Sequence, residues 1–294
     1  MDIGDLRVFE AVARLGGMNR AAADLNTVQS NVTARIKSLE AEIGRALFER
    51  HSRGVSLTAA GQRLLPYAER ASRLLVDARH AARDDGAPRG LLTIGSLETT
   101  AALRLTPLLA RYAADHPAVD LVLRTGTTQE LIGLVLEQRV EGAFVCGPVA
   151  HPELCHEAMF QEELVVLAGP AATSLDAVLR GGEVQVVVLR AGCSYRQRLD
   201  ALLARRGIVV RRQLEFGTLE AIFGCVAAGL GITLLPRALI GPVWGAGRVS
   251  VHPLPPIDAL VDTVFIRRRD GFSSSALRAF LARAADGLAR VEAA

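Results

Sequence analysis

Gln29, Ser30, Asn31 and Thr33 crowd four hydrogen-bonding side chains into one short stretch, "QSNVT", with Ala34, Arg35 and Lys37 following closely. Gln and Asn can each make two bonds to an adenine edge, Arg can do so to guanine, and Thr offers a hydroxyl together with a methyl. Arg35, Lys37 and the more distant Arg53 suit phosphates, which position a protein on DNA without reading its sequence. The plainer alternative is a solvated polar face. A second group is dispersed but repeats one context. Ser96, Thr99 and Thr100, then Thr127 and Thr128, then Cys193, Ser194 and Tyr195, then Gly217 and Thr218 all lie where an apolar run gives way to a helical one. Free N–H groups at helix starts favour an anion, so a small carboxylate is the expected ligand; ordinary helix capping is the alternative. Cys193 or Ser194 at such a start could also be a nucleophile, but none of the six histidines forms a motif with that loop. No catalytic residues, metal ligands or cofactor are therefore expected.

The first group must be held by helices. Leu6, Phe9, Val12 and Ala13 recur at helical spacing, "LGGM" interrupts them, and Asn19 is placed to cap a second helix carrying Ala21, Ala22 and Leu25 inward. A third pattern, Val32, Ile36, Leu39 and Ile43, leaves Asn31, Ala34, Arg35 and Ser38 largely opposite the apolar stripe. "ALFERHSRGVSLT" reads as two short strands around Ser52-Arg53-Gly54. Three helices and a basic-tipped hairpin make a winged helix-turn-helix plan over residues 1–58.

Thr58 caps a long helix over residues 59–82. Its apolar row, Leu64, Ala68, Ala71, Leu75, Ala78 and Ala82, steps by four and three, as in a two-chain seam. Packing against its own domain is the alternative, and Pro66 predicts a bend. Residues 83–90, "RDDGAPRG", form a hinge. Beyond it strands and helices alternate through residues 91–294, which predicts a parallel sheet with covering helices. Two lobes are expected, about 91–163 with 265–294, and about 164–264, with ligand outside the carboxyl ends of the strands.

Composition narrows the partners. The chain has 294 residues, 50% of them hydrophobic and 22% charged, and a net charge of only +3. A nucleic-acid site must then be a local patch. Lys37 is the only lysine. No run approaches the roughly 18 apolar residues of a membrane span, no export leader is recognisable, and the four cysteines are scattered, so a reducing cytoplasm is expected.

"LRVFEAVARLGGMNRAAADLN", Gln29, Ile36, Leu39-Glu40, "LFER", "LTAAG" and the late "GLGITLLP" together resemble the LysR-type transcriptional regulators along the whole chain. Val28, Ser30 and Ala34 depart from the family's commoner choices and resemble a sub-branch. The resemblance implies an α/β chain with an all-α winged helix-turn-helix N-terminal domain, a long linker helix and a two-lobed, periplasmic-binding-protein-like regulatory domain. It implies a homodimer or homotetramer on double-stranded promoter DNA with an interrupted palindrome. A small-molecule effector between the lobes would modulate binding or bending. Because some family members sense peroxide through a cysteine pair, Cys146 and Cys155 are candidates for a disulfide, against the alternative of structural thiols.

Overall fold

Asp2 and Asp5 start the first helix by a reciprocal cap. Each carboxylate accepts from the other's backbone N–H, at 2.8 and 3.0 Å, and α1 runs Ile3–Leu15. In this computed structural model, which describes residues 1–51, 54–241, 244–245 and 247–291, the chain divides into two units, Met1–Asp84 and Asp85–Ala294. The second helix, α2 (Met18–Asp24), begins two residues earlier than expected: Asn19 lies inside it, and Gly17 precedes it without a side-chain cap. Then come α3 (Gln29–Ile43), the antiparallel hairpin β1 (Phe48–His51) and β2 (Gly54–Leu57), and α4 (Ala59–Arg83).

Phe9, Val12, Ala21, Val32, Ile36 and Leu39 meet in one buried core with Leu47 and Ala68. Glu40 fixes the hairpin to α3, accepting from the N–H groups of Leu47 and Phe48 at 2.8 and 3.2 Å. Thr58 caps α4 through Gly61 N–H and donates to the Ala46 carbonyl. A Cβ at Gly61 would lie 2.2 Å from the Leu47 carbonyl oxygen, so only glycine lets α4 start against the hairpin.

The apolar row on α4 is divided. Leu64 and Ala68 join the unit's own core, and Leu75 sits in a groove beside Arg7 and Glu10 of α1. Ser72 donates to Glu10 at 2.7 Å, tying the two helices together. Large apolar side chains left open on this helix include Tyr67, 71% exposed, Leu74, 51% exposed, and Val76, 43% exposed. The helix continues through Pro66.

The second unit opens with β3 (Gly90–Ser96) and one helical stretch made of α5 (Glu98–Thr100), a π-turn (Ala101–Leu105) and α6 (Thr106–Asp115). There follow β4 (Val119–Thr125), α7 (Thr128–Leu136), β5 (Gly142–Cys146), β6 (Leu154–Ala168), α8 (Leu175–Leu179) and β7 (Glu183–Leu189). The chain continues with α9 (Ser194–Arg205), β8 (Val209–Phe216), α10 (Leu219–Ala227), β9 (Thr233–Pro236) and β10 (Ser250–Pro253). It closes with α11 (Pro256–Ala259), β11 (Leu260–Arg268) and α12 (Ser275–Val291).

The sheet is mixed rather than parallel. β3 pairs in parallel with β4 and β5, but β11 lies antiparallel between β5 and β6, and β9 and β10 lie antiparallel on β6. The reason is β6, a 15-residue strand whose first part pairs with β11 in one lobe and whose last part pairs with β9 and β10 in the other. β7 joins the second lobe through β8 and a parallel bridge from Val186 to Ile232.

Tyr112, Phe144, Phe265 and Phe280 centre the first lobe's core. Tyr112 donates to the Ala276 carbonyl at 2.8 Å, and burial pushes its phenol up to about 12. Arg104 in the π-turn grips buried Glu162 of β6 with Nε at 2.8 Å and Nη2 at 3.1 Å. That bidentate pair pins the first helix of the lobe to the strand that leaves it.

Candidate functional site: a DNA-reading helix and an interlobe cavity

Helix α3 buries Val32, Ile36 and Leu39 and turns Gln29, Ser30, Asn31, Ala34 and Lys37 to the exterior, with Thr33 half-buried. Its first turn lacks a side-chain cap, because Val28 occupies the N-cap. The Asn31 N–H turns to the Val28 carbonyl at 3.1 Å, and those of Gln29 and Ser30 are left for an outside acceptor. Gln29 donates to Thr33 Oγ1 at 2.9 Å, and Asn31 donates to Thr27 Oγ1 at 3.0 Å. Both amides are held in set orientations with acceptor or donor capacity to spare.

Arg35 departs from the expected phosphate role. Its guanidinium donates to Asp5 at 2.9 Å and lies 3.5 Å from Asp2, so it braces α3 on the start of α1. Asp2 is held below the usual carboxylate range, first by the Asp5 N–H bond and also by Arg35. Arg53 lies outside the described residues. Lys37 is exposed.

The dispersed second group converges. Thr99, Thr127, Thr128, Cys193, Ser194, Tyr195, Gly217 and Thr218 all line one cavity of about 230 Å³ between the lobes. Strand ends deliver them: α5, α7, α9 and α10 all begin there, each just after a strand. Ser96 and Thr100 do not reach it. Both are buried, Ser96 at the end of β3 spending its hydroxyl on the Leu97 carbonyl and Thr100 ending α5.

Several bonds cross the cleft. Ser194 donates to Thr128 at 2.9 Å, Thr99 and Tyr195 hydroxyls lie 3.4 Å apart, and Gln129 N–H donates to the Gly192 carbonyl. Thr127 caps α7 with Glu130 returning the bond, and Thr218 caps α10. Helix α9 has only the Cys193 thiol at its cap, a weak acceptor.

Glu98 and Arg190 also line the cavity and escaped sequence reasoning. Neither sits in a motif; a charged residue after a strand carries no signal of its own until the cleft is formed. Burial raises the Glu98 carboxyl above its ordinary value of 4.5, against a bond from Leu219 N–H and the nearby Arg190 charge that lower it.

Burial also pushes the thiols of Cys146 and Cys193 up, the reverse of an activated nucleophile. Cys155 directs its thiol at the Arg267 carbonyl, and all four cysteines are free. Among the described residues no group of acidic, histidine and cysteine side chains could hold a metal, and no helix is long and apolar enough to cross a membrane. A wider groove of about 850 Å³ adjoins the cavity along the flank of α9. It shares Thr128, Cys146 and Ser194 with the smaller cavity, where the starts of α5, α7, α9 and α10 meet.

Comparison with known proteins bears on both regions. Residues 3–62 match the family described as bacterial regulatory helix-turn-helix protein, lysR family, and residues 85–289 match the LysR substrate binding domain. The HTH-type transcriptional regulator GltR of Bacillus subtilis (strain 168) is 43% identical over 286 residues, 97% of this chain and 97% of its own. The uncharacterized HTH-type transcriptional regulator YusT of the same organism is 46% identical over 281 residues, covering 96% and 94%. Full-length CbnR, solved in complex with its target DNA, shares the fold with a TM-score of 0.60 at 24% identity, over 99% of both chains.

Proposed function

The chain belongs to the LysR-type transcriptional regulators, with a DNA-binding helix-turn-helix and an effector-binding domain, and on that premise we propose which residues do the reading and the sensing. Gln29, Ser30, Asn31 and Thr33 contact base edges in the major groove, with Ala34 leaving space beside them. Lys37, and Arg53 from the hairpin, contact phosphates. The observation that carries this is the exposed polar start of α3 above the buried stripe of Val32, Ile36 and Leu39. A second copy places a second α3 on the other half of an interrupted palindrome, so the protein acts as a homodimer or a homotetramer of such pairs in the cytoplasm. Residues 1–58, 59–82, 83–90 and 91–294 serve as reader, linker, hinge and sensor.

A small carboxylate occupies the cleft cavity against Thr99, Thr127, Thr128, Ser194, Tyr195 and Thr218, with Cys193 and Gly217 completing the wall. It biases the lobes toward one arrangement by binding that arrangement better, and the hinge carries the change to promoter occupancy or DNA bend. The raised thiols of the cavity favour a sensor over a catalyst.

Replacing Gln29 and Thr33 together by Ala tests the reading helix. Titration against operator and random DNA should show operator affinity falling about tenfold or more, since a good side-chain–base pair contributes roughly 1–3 kcal/mol, while random DNA binds nearly as before. Equal losses on both would remove base reading from these residues.

A further inference from the structure

We propose that the effector is a zwitterion, a small amino acid, whose ammonium group is taken by Glu98 and whose carboxylate is taken by Arg190 together with the start of α9. The inference deepens the cleft-carboxylate reading above and rests on it.

The anion side follows from which helix start is left open. Three helices of useful length begin at the cavity. Thr127 caps α7, and on α10 Thr218 caps one N–H while Glu98 takes that of Leu219. On α9 no side chain caps the first turn, and the N–H groups of Tyr195 and Arg196 face the Cys193 sulfur. A ligand carboxylate is a far stronger acceptor than a neutral thiol. Arg190 lies three residues before Cys193, its carbonyl accepting the Cys193 N–H, so both belong to one tight turn. The Arg190 side chain passes beside Gly217, where an added Cβ would lie 3.9 Å from Nε. It influences Glu98 and Glu130 electrostatically. It also lines the cavity, where its planar fork can hold a carboxylate by two bonds.

The cation side follows from Glu98. Its carboxylate faces the Leu219 N–H, and a carboxylate has acceptor capacity for more than one donor. It is half-buried, and the charge of Glu220 acts on it unfavourably. Its raised pKa agrees with a charge that its surroundings under-compensate. A ligand ammonium would supply the missing positive charge. A dicarboxylate would place a second negative charge against it. Opposite charges lining one cavity of about 230 Å³, smaller than the roughly 300–1,000 Å³ of drug-sized sites, select a compact ligand carrying both signs. Because Glu98 reaches α10 across the cleft, ligand binding there also acts on a contact between the lobes.

Thermal-shift and calorimetric titration of the full-length protein tests this with two matched panels. One holds the common α-amino acids; the other holds the 2-hydroxy acids and dicarboxylates of the same skeletons. At least one amino acid should bind, and more tightly than its deaminated partner. Glu98→Gln should reduce that preference by about tenfold, the scale of one charge-assisted bond, and Glu98→Asp should restore part of it. Arg190→Gln should weaken both panels. Hydroxy acids or dicarboxylates binding as well as amino acids, or a preference unmoved in Glu98→Gln, would overturn the zwitterion while leaving a carboxylate effector in place. If neither panel binds, both readings fall.

Discussion

Two basic residues two positions apart on one helix are given different work by their surroundings. Arg35 is spent on Asp5 and Asp2, whereas Lys37 stands open on the outer face of α3. Substituting each by Ala should separate the roles. Lys37→Ala should flatten the dependence of log affinity on log salt by about 0.9 for one lost phosphate contact. Arg35→Ala should leave that slope unchanged and lower the unit's stability by less than about 1 kcal/mol, as for a partly exposed ion pair. Salt titrations of DNA binding and denaturant curves measure the two effects, and a slope change in Arg35→Ala would return that residue to the phosphate contacts. The polar start of α3 was legible from residue types and helical spacing alone. The pairing of Arg35 was not, because Asp5 is brought to it only when α1 and α3 pack.

Elements were legible wherever one periodicity ran uninterrupted. The three short helices, the hairpin, the long α4 and most βα steps follow their apolar spacing and their turn residues. β6 did not. Its end, "LVVLA", is an apolar run, but its start, "LCHEAMFQ", follows neither a strand nor a helix period. Its burial alternates only partly, because one strand edge serves two lobes whose buried faces differ. Helix α12 returns to the first lobe, as its late position suggested, and its weight there is specific. Phe280 is fully buried and sits edge-on to Tyr112 at 5.2 Å and to Phe144 at 6.3 Å. Phe280→Ala should cost about 3–5 kcal/mol by cavity formation, seen in denaturant unfolding as an earlier transition of the second unit. A loss under about 1 kcal/mol would mean that the lobe's core closes without α12.

For the assembly we propose the face of α4 that its own unit leaves open as the contact between copies. The heptad row through Leu64, Ala68 and Leu75 suggested a seam between chains, but those residues turn toward α1 and the unit's core. The open face runs through Tyr67, Leu74 and Ala78, so of the expected row Ala78 stays open while Leu64, Ala68 and Leu75 turn inward. Leu74→Glu should therefore split the dimer, with sedimentation giving half the mass and operator affinity falling as the two half-sites lose their link. Leu75→Ala should chiefly loosen α4 from α1 and lower thermal stability. If Leu74→Glu sediments as the parent does, the dimer uses another surface. The cleft shows the same division of knowledge. Its polar members were recognisable as helix starts, and most do meet in one cavity, but Ser96 and Thr100 point away and the charges of Glu98 and Arg190 enter.

The amino-acid sequence by itself determined the order of elements, the winged helix-turn-helix plan, the polar face of α3 and the family, because spacing, caps and motifs are local and survive in one dimension. The tertiary structure decided the rest: which apolar row of α4 stays open, that β6 joins both lobes, that Arg35 braces a helix, and that one acid and one guanidinium face a common cavity. Those depend on side chains far apart in the chain being packed against each other, and burial and charge balance have no value until that packing exists.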